Sequence, residues 1–318
     1  MKVPLVSVVF LSSIVLVSSL PRLTPRPLVL WHGLGDSYSS PGMLEFASLV
    51  KDVHPGIFVH SVFIEEDFDK DRQAGFYGNI NEQVEFVATQ LAGIPELKGG
   101  FDAIGFSQGG QFLRAYVERY NDPPVNNLIT FGSQHMGISD IPVCGRYDLL
   151  CQIARRSAKQ AVYGAWAQNN LVQAQYFRDP WNMEKYFTAN QFLTSINNEV
   201  AATRNATYAH NLSSLNNLVL VLFTEDKTVV PKESSWFGSQ IVEEDWGRSE
   251  QGVLAATNVI SEHAILPLRR QPIYLEDWIG LRELDARNGI VFVTCKGEHM
   301  QLSGCWKELV IKYAGSGE

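Results

Sequence analysis

The chain has 318 residues, 45% of them hydrophobic, and a formal net charge of −8. A chain of this size can bury a sizeable core, and α/β folds often reach such lengths in one domain. The acidic balance and the lack of any basic run argue against nucleic acid as a partner.

Lys2 precedes an apolar stretch from Val3 to Val17, and Ser18, Ser19 and Leu20 follow. A charged residue, an apolar region and small residues form the pattern of a secretory signal peptide. Cleavage after Ser19 puts Val17 and Ser19 at the recognition positions, so residues 1–19 read as a leader and 20–318 as one domain. The stretch is shorter than the roughly 20 apolar residues of a membrane span. No later run is longer, so no stable membrane insertion is expected of the mature chain.

Apolar runs bounded by turn residues then alternate with helical patterns. Pro27 to Trp31 and Ile57 to Ile64 read as strands, and Asn81 to Leu91 has helical spacing at Val84, Val87, Ala88 and Leu91. Phe101 to Phe106 is a short strand, and Gly109 to Tyr120 a helix with Phe112, Leu113, Tyr116, Val117 and Tyr120 on one stripe. Asn121, Asp122, Pro123 and Pro124 stop that helix. Leu128 to Phe131, Leu218 to Phe223 and Ile290 to Val293 are further strands, and Leu302 to Tyr313 reads as a closing helix. Continuously apolar strands alternating with helices mean a mostly parallel sheet covered on both faces. From about Cys144 to Leu215 the rhythm breaks: the segment is helical in pattern, rich in Ala, Gln, Asn and aromatics, and has no clear strand. It reads as a helical cap inserted over the C-terminal edge of the sheet, where ligands bind in open α/β sheets.

The four cysteines are Cys144, Cys151, Cys295 and Cys305. An even count fits disulfides in an oxidising compartment, and close spacing suggests the local pairs Cys144–Cys151 and Cys295–Cys305 among three pairings. Neither pair has metal-ligand spacing, so no metal is expected. Two glycosylation sequons begin at Asn205 and Asn211.

Gly105-Phe106-Ser107-Gln108-Gly109 matches G-x-S-x-G between a strand and a helix, the context of a nucleophile elbow. Small neighbours let the backbone turn tightly, and the serine oxygen then sits beside a helix N-terminus that favours a developing oxyanion. The elbow requires an acid and then a histidine, each just after a later strand. Asp226 follows the Leu218 to Phe223 strand, with Glu225 as competitor. His299 follows the Ile290 to Val293 strand; His263 has no clear strand before it, and His135 comes before any acid. In this reading His299 takes the Ser107 proton and Asp226 orients the imidazole. The two oxyanion donors would be the backbone N–H groups of Gln108 and, in the loop His32-Gly33-Leu34-Gly35-Asp36, of Leu34.

Three stretches together resemble the palmitoyl-protein thioesterases, lysosomal members of the α/β-hydrolase superfamily. They run from Trp31 to Ser37, from Gly105 to Arg114 and from Gly297 to Ser303. The likeness continues through Gly132 to Gly137, Leu171 to Tyr176 and Ser235 to Gly238, over nearly the whole mature chain. It implies an α/β-hydrolase fold with a helical cap and an enzyme, without cofactor, that removes long acyl chains from the cysteines of S-acylated proteins or peptides. It puts Ser107, Asp226 and His299 on the triad positions and Leu34 and Gln108 on the oxyanion positions. Leu34 stands where the family often has methionine, a change that a backbone donor tolerates. Cys144 and Cys151 match a family disulfide. Cys295 and Cys305 around His299 are a departure, and cysteines that the animal enzymes carry near the first strand are absent. A lysosomal or vacuolar lumen, or the cell exterior, is the expected location.

The same triad serves a secreted lipase or carboxylesterase, and an inactive lipid- or protein-binding relative is a third reading. A long acyl chain needs an apolar groove. The cap offers Trp166, Leu171, Tyr176 and Phe177, and further along Trp181, Tyr186, Phe187 and Phe192.

Overall fold

The computed structural model describes residues 24–140, 161–241, 264–302 and 304–315. The expected leader, Cys144, Cys151, the first part of the expected cap and His263 lie outside these residues.

A six-stranded sheet carries the fold. Its strands are β1 (Leu28–Trp31), β2 (Val59–Ser61), β3 (Phe101–Phe106), β4 (Val125–Phe131), β5 (Asn217–Phe223) and β8 (Ile290–Cys295). They run in the order β2-β1-β3-β4-β5-β8, and every neighbour pairs in parallel. Two short strands, β6 (Ser239–Gln240) and β7 (Ile265–Leu266), pair antiparallel outside it. Parallel strands are buried on both faces, which is why β1 is apolar throughout and β3 is buried throughout, its one charged residue, Asp102, paired with Asn126 and Asn127. Leu28, Leu30, Ile104 and Phe106 point to one face, with helices α1 (Pro41–Val53) and α9 (Trp306–Tyr313). Val29, Trp31, Ala103 and Leu220 point to the other, with α3 (Ile80–Ala92), α4 (Gln108–Arg119) and α7 (Ala206–Ser213). The strand order and the helices on both faces are those of an α/β-hydrolase fold.

Several boundaries differ from the sequence-based expectation. Only Val59–Ser61 of the run from Ile57 to Ile64 is strand. It is a half-buried edge strand, and beyond it the Ile64 N–H donates to the Asp71 carboxylate at 2.8 Å instead of to the sheet. Strand β4 begins at Val125, not Leu128, because Asp102 accepts from the Asn126 and Asn127 side chains and holds this polar start against β3. The last helix begins at Trp306, not Leu302, since Gly304 is in the left-handed region at φ 94° and Cys305 is cross-linked.

Between 161 and 216 the described residues contain no strand. They form α5 (Ala165–Asn170), a 3₁₀ turn (Val172–Tyr176), α6 (Met183–Ala189) and a single helical turn (Leu193–Ile196). This segment closes over α4, so that helix is buried nearly all round and not along one stripe. Its polar residues are therefore inside and need partners. Arg114, fully buried, donates to Glu118 Oε1 at 2.8 Å, to Asn197 Oδ1 at 2.9 Å and to the carbonyls of His135 and Ile196, with its guanidinium over the Phe237 ring. The sequon residue Asn205 is exposed and caps α7 by accepting from the Thr207 N–H. Asn211 is half-buried and donates its Nδ2 to the Glu118 carbonyl at 3.1 Å.

Burial pushes Glu118 up to about 7 from its ordinary 4.5, against the pull of Arg114. A carboxyl raised in the fold adds stability that is fully present below its unfolded value and lost as pH rises through its folded value. Calorimetry should show the melting temperature falling between about pH 5 and pH 8 through this group. Glu118→Gln, which keeps the shape of the neutral acid, should flatten that slope, as melting temperatures taken at both ends of the range would read.

Candidate active site

Ser107 joins β3 to α4 with a backbone at φ 52° and ψ −123°, a region that costs a non-glycine residue about 1–3 kcal/mol. The neighbours show why the turn requires glycine. A Cβ at Gly105 would lie 2.2 Å from the Gly110 Cα, and one at Gly109 would lie 2.3 Å from the Trp31 carbonyl oxygen. Only bare backbone lets α4 start this close to β1 and β3. The turn raises Ser107 to the end of the sheet while leaving it only 8% exposed.

The candidate acid Asp226 and the candidate base His299 follow the adjacent pair β5 and β8, registered Phe223 to Cys295. Their following loops are tied together: the Thr224 N–H donates to the Cys295 carbonyl and the Glu225 N–H to the Gly297 carbonyl, each at 2.9 Å. Asp226 Oδ1 accepts from the N–H groups of Thr228 and Val229 at 2.8 and 3.0 Å. Its Oδ2 lies 2.6 Å from His299 Nδ1, and His299 Nε2 lies 3.0 Å from Ser107 Oγ. An ionised carboxylate can only accept, so Nδ1 carries the ring proton and Nε2 presents its lone pair to the serine hydroxyl. The arrangement can remove the serine proton and return it to a leaving group.

The competitors sit elsewhere. Glu225 is exposed and uses its backbone, not its carboxylate, to hold the loop. His135 is fully buried, lies 3.0 Å from Thr130 Oγ1 and stacks on Phe237. Burial, helped by the charge of Arg114, holds it well below its ordinary value and hence neutral.

Cys295 and Cys305 are bonded across 10 residues of sequence, closing the loop that carries His299. The first strand's loop passes on the other side of the serine. A Cβ at Gly33 would lie 3.2 Å from Ser107 Cβ, and Leu34 and Ser107 line one cavity. Gln108 is the first residue of α4, where backbone N–H groups have no intrahelical acceptor. Its buried side chain donates to the Gly75 carbonyl at 3.1 Å and accepts from the Tyr176 hydroxyl at 3.1 Å.

Asp71 was not singled out by sequence, because it stands in a charged run that reads as solvent-facing. It is fully buried. Its carboxylate accepts from the N–H groups of Tyr38 and Ile64 and lies 3.2 Å from His32 Nε2, in the loop that follows β1. Burial alone would raise it; the His32 ring and those N–H groups prevail and hold it below its ordinary value.

The cavity above Ser107 has a volume of about 410 Å³ and is walled by Met43, Phe46, Ile138, Val229, Met300 and Leu302. A second cavity of about 460 Å³ shares Ile138 and Gln173 with it and is lined by Trp166, Leu171 and Phe177. Of the expected acyl-binding residues, Tyr176 lines the first cavity. Tyr186 and Phe192 are core, and Trp181 is 72% exposed. Among the described residues no group of three or more His, Cys, Asp or Glu could hold a metal ion.

The model of the palmitoyl protein thioesterase family matches residues 27–299. Palmitoyl-protein thioesterase 1 of Caenorhabditis elegans is 40% identical over 277 residues, covering 87% of each chain. Palmitoyl-protein thioesterase 3 of Dictyostelium discoideum is 34% identical over 275 residues, 86% of this chain and 85% of that one. The human lysosomal thioesterase PPT2 is 27% identical over 288 residues, 89% of this chain and 84% of that one.

Two outcomes follow from the geometry. Asp226→Asn should lower turnover by roughly 10⁴, the loss seen when a known triad acquires the wrong tautomer, His299→Ala by roughly 10⁶ because the base is gone, and Glu225→Gln should leave it within about threefold. Steady-state rates of the three variants decide the assignment, and a larger loss in Glu225→Gln overturns it. Replacing Cys295 and Cys305 by serine should lower melting stability by about 2–3 kcal/mol and reduce turnover below the transition, because the His299 loop is no longer closed. Calorimetry and rate measurements on the same sample read both effects.

Proposed function

Because the chain belongs to the palmitoyl protein thioesterase family, we propose that it hydrolyses long-chain acyl thioesters on the cysteines of S-acylated proteins or peptides. Ser107 is the nucleophile, His299 the general base and acid, and Asp226 the orienting acid. The observation that carries this reading is the continuous contact from Asp226 through His299 to Ser107 at the floor of an apolar cavity.

Ser107 Oγ attacks the thioester carbonyl carbon as its proton passes to His299 Nε2. The carbonyl oxygen becomes an oxyanion, received by the backbone N–H groups of Leu34 and Gln108. As the tetrahedral intermediate collapses, the C–S bond breaks and the imidazolium returns the proton to sulfur, releasing a cysteine thiol. Water then attacks the acyl-Ser107 ester with His299 as base, giving the fatty acid and free serine. A thiol ionises near pH 8.5, so its departure demands little of the acid.

The two neighbouring cavities, with Ile138 and Gln173 in both linings, favour a long apolar acyl chain over a polar one. Their volumes fall in the usual range for ligand sites, and each methylene buried contributes about 0.8 kcal/mol. The segment from about 144 to 215 acts as a cap, whose Trp166, Leu171 and Phe177 line the second cavity and whose Tyr176 lines the first. The apolar N-terminus, the disulfide and the sequons at Asn205 and Asn211 support passage through the secretory pathway to a lysosome-like lumen. Among the described residues no helix is long and apolar enough to cross a membrane.

The test is hydrolysis of a palmitoyl thioester against the oxyester of the same chain and leaving-group size. The thioester should be cleaved faster per unit enzyme, and Ser107→Ala should lose at least about 10³ in rate with an unchanged melting temperature. Preference for the oxyester would make the protein a lipase or carboxylesterase. Turnover of neither would favour a binding relative.

A further inference from the structure

The Gln108 side chain does not reach the cavity, yet it is buried and held at both ends. Its Nε2 donates to the Gly75 carbonyl at 3.1 Å, and its Oε1 accepts from the Tyr176 hydroxyl at 3.1 Å. Gly75 also accepts from Gln173 Nε2 at 3.1 Å. The Gly75 backbone abuts the oxyanion loop, where a Cβ on it would lie 3.4 Å from the Gly35 nitrogen and 3.3 Å from Gln108 Nε2. One carbonyl therefore ties the Gln108 side chain to Gln173, beside the loop that carries Leu34. Tyr176 and Gln173 come from the helical segment above the sheet, and both line the cavity over Ser107.

We propose that Tyr176 is a positioning residue for the oxyanion hole: its hydroxyl fixes Gln108, and with Gln173 it straps the helical segment onto the turn after the nucleophile. The proposal rests on the serine-hydrolase reading above. Gln108 is the first residue of α4, where the chain has just left the positive φ of Ser107, and no earlier turn of helix braces its peptide. A side chain clamped at both ends restricts rotation of that residue and hence the direction of its N–H. Burial keeps the Tyr176 phenol above its ordinary value, with the Gln173 hydrogen bond pulling weakly the other way, so it stays a neutral donor. A donor misaligned by a fraction of an ångström weakens the transition state while leaving ground-state binding alone.

Tyr176→Phe removes the hydroxyl and keeps the ring. It should lower kcat about tenfold with KM within about twofold, since only oxyanion stabilisation changes. A palmityl trifluoromethyl ketone, whose adduct with Ser107 carries an oxyanion, should bind about tenfold more weakly. Gln173→Met, at a half-buried position that tolerates the change, should shift both quantities in the same direction by about threefold. The wild type and each variant are compared by melting temperature, kcat, KM and ketone Ki. Folded variants with kcat and Ki within twofold of wild type would overturn the proposal, and so would a change confined to KM, which would make Tyr176 a lining residue alone. The ketone reads oxyanion stabilisation at any reactive serine, so it decides the matter even where palmitoyl thioester turnover fails.

Discussion

The site hangs on one backbone constraint, the positive φ of Ser107 at the junction of β3 and α4. That turn works only if the helix can start almost in contact with β1 and β3, which excludes side chains at Gly105 and Gly109. The unfavourable conformation persists because a buried sheet and a helix buried nearly all round over-determine it. The serine, the helix N-terminus and the first strand's loop are thereby brought to one point. The acid and the histidine need no further device, because β5 and β8 are neighbours and their C-terminal loops interlock.

Polar groups inside the molecule then divide the labour. Asp71 holds the loop before the oxyanion stretch through His32 and two backbone N–H groups. Arg114 joins α4 to residues 196 and 197 of the helical segment and to the carbonyl of His135. Each would be costly without its partners, since a buried group left unpaired loses its full hydration. These ties are therefore all-or-none features of the packed state, and they link the sheet, the loops and the overlying helices around the serine. The disulfide between Cys295 and Cys305 does for the histidine loop what these networks do for the serine side.

Much of this was legible in the residues. The apolar run at Leu28 to Trp31 and the mainly apolar Phe101 to Phe106, each short and bounded by turn residues, read as buried parallel strands. The G-x-S-x-G turn between strand and helix, and the order of Asp226 and His299 after later strands, point by local pattern to the three candidate residues that lie in contact. The edge strand at Val59–Ser61 was overextended because a run of apolar residues does not say where a buried carboxylate will capture its N–H groups. Strand β4 was cut short for the converse reason: Asn126 and Asn127 look like loop residues until Asp102 is placed beside them.

The sequence by itself determined the parallel α/β architecture and nominated the site: a G-x-S-x-G turn between strand and helix, and a candidate acid and base after later strands. Those are properties of local spacing and of side-chain type. Only the tertiary structure decided which polar residues serve the site from behind. It alone put Asp71 under His32 and made Gly75 the shared anchor of Gln108 and Gln173. It alone put the Trp166 cavity beside the one over Ser107, with Ile138 and Gln173 in the lining of both. The partners in these contacts lie up to 98 residues apart, as Gln173 and Gly75 do, and no periodicity encodes a hydrogen bond across that distance. Such pairs are selected when the core closes and every buried donor must find an acceptor.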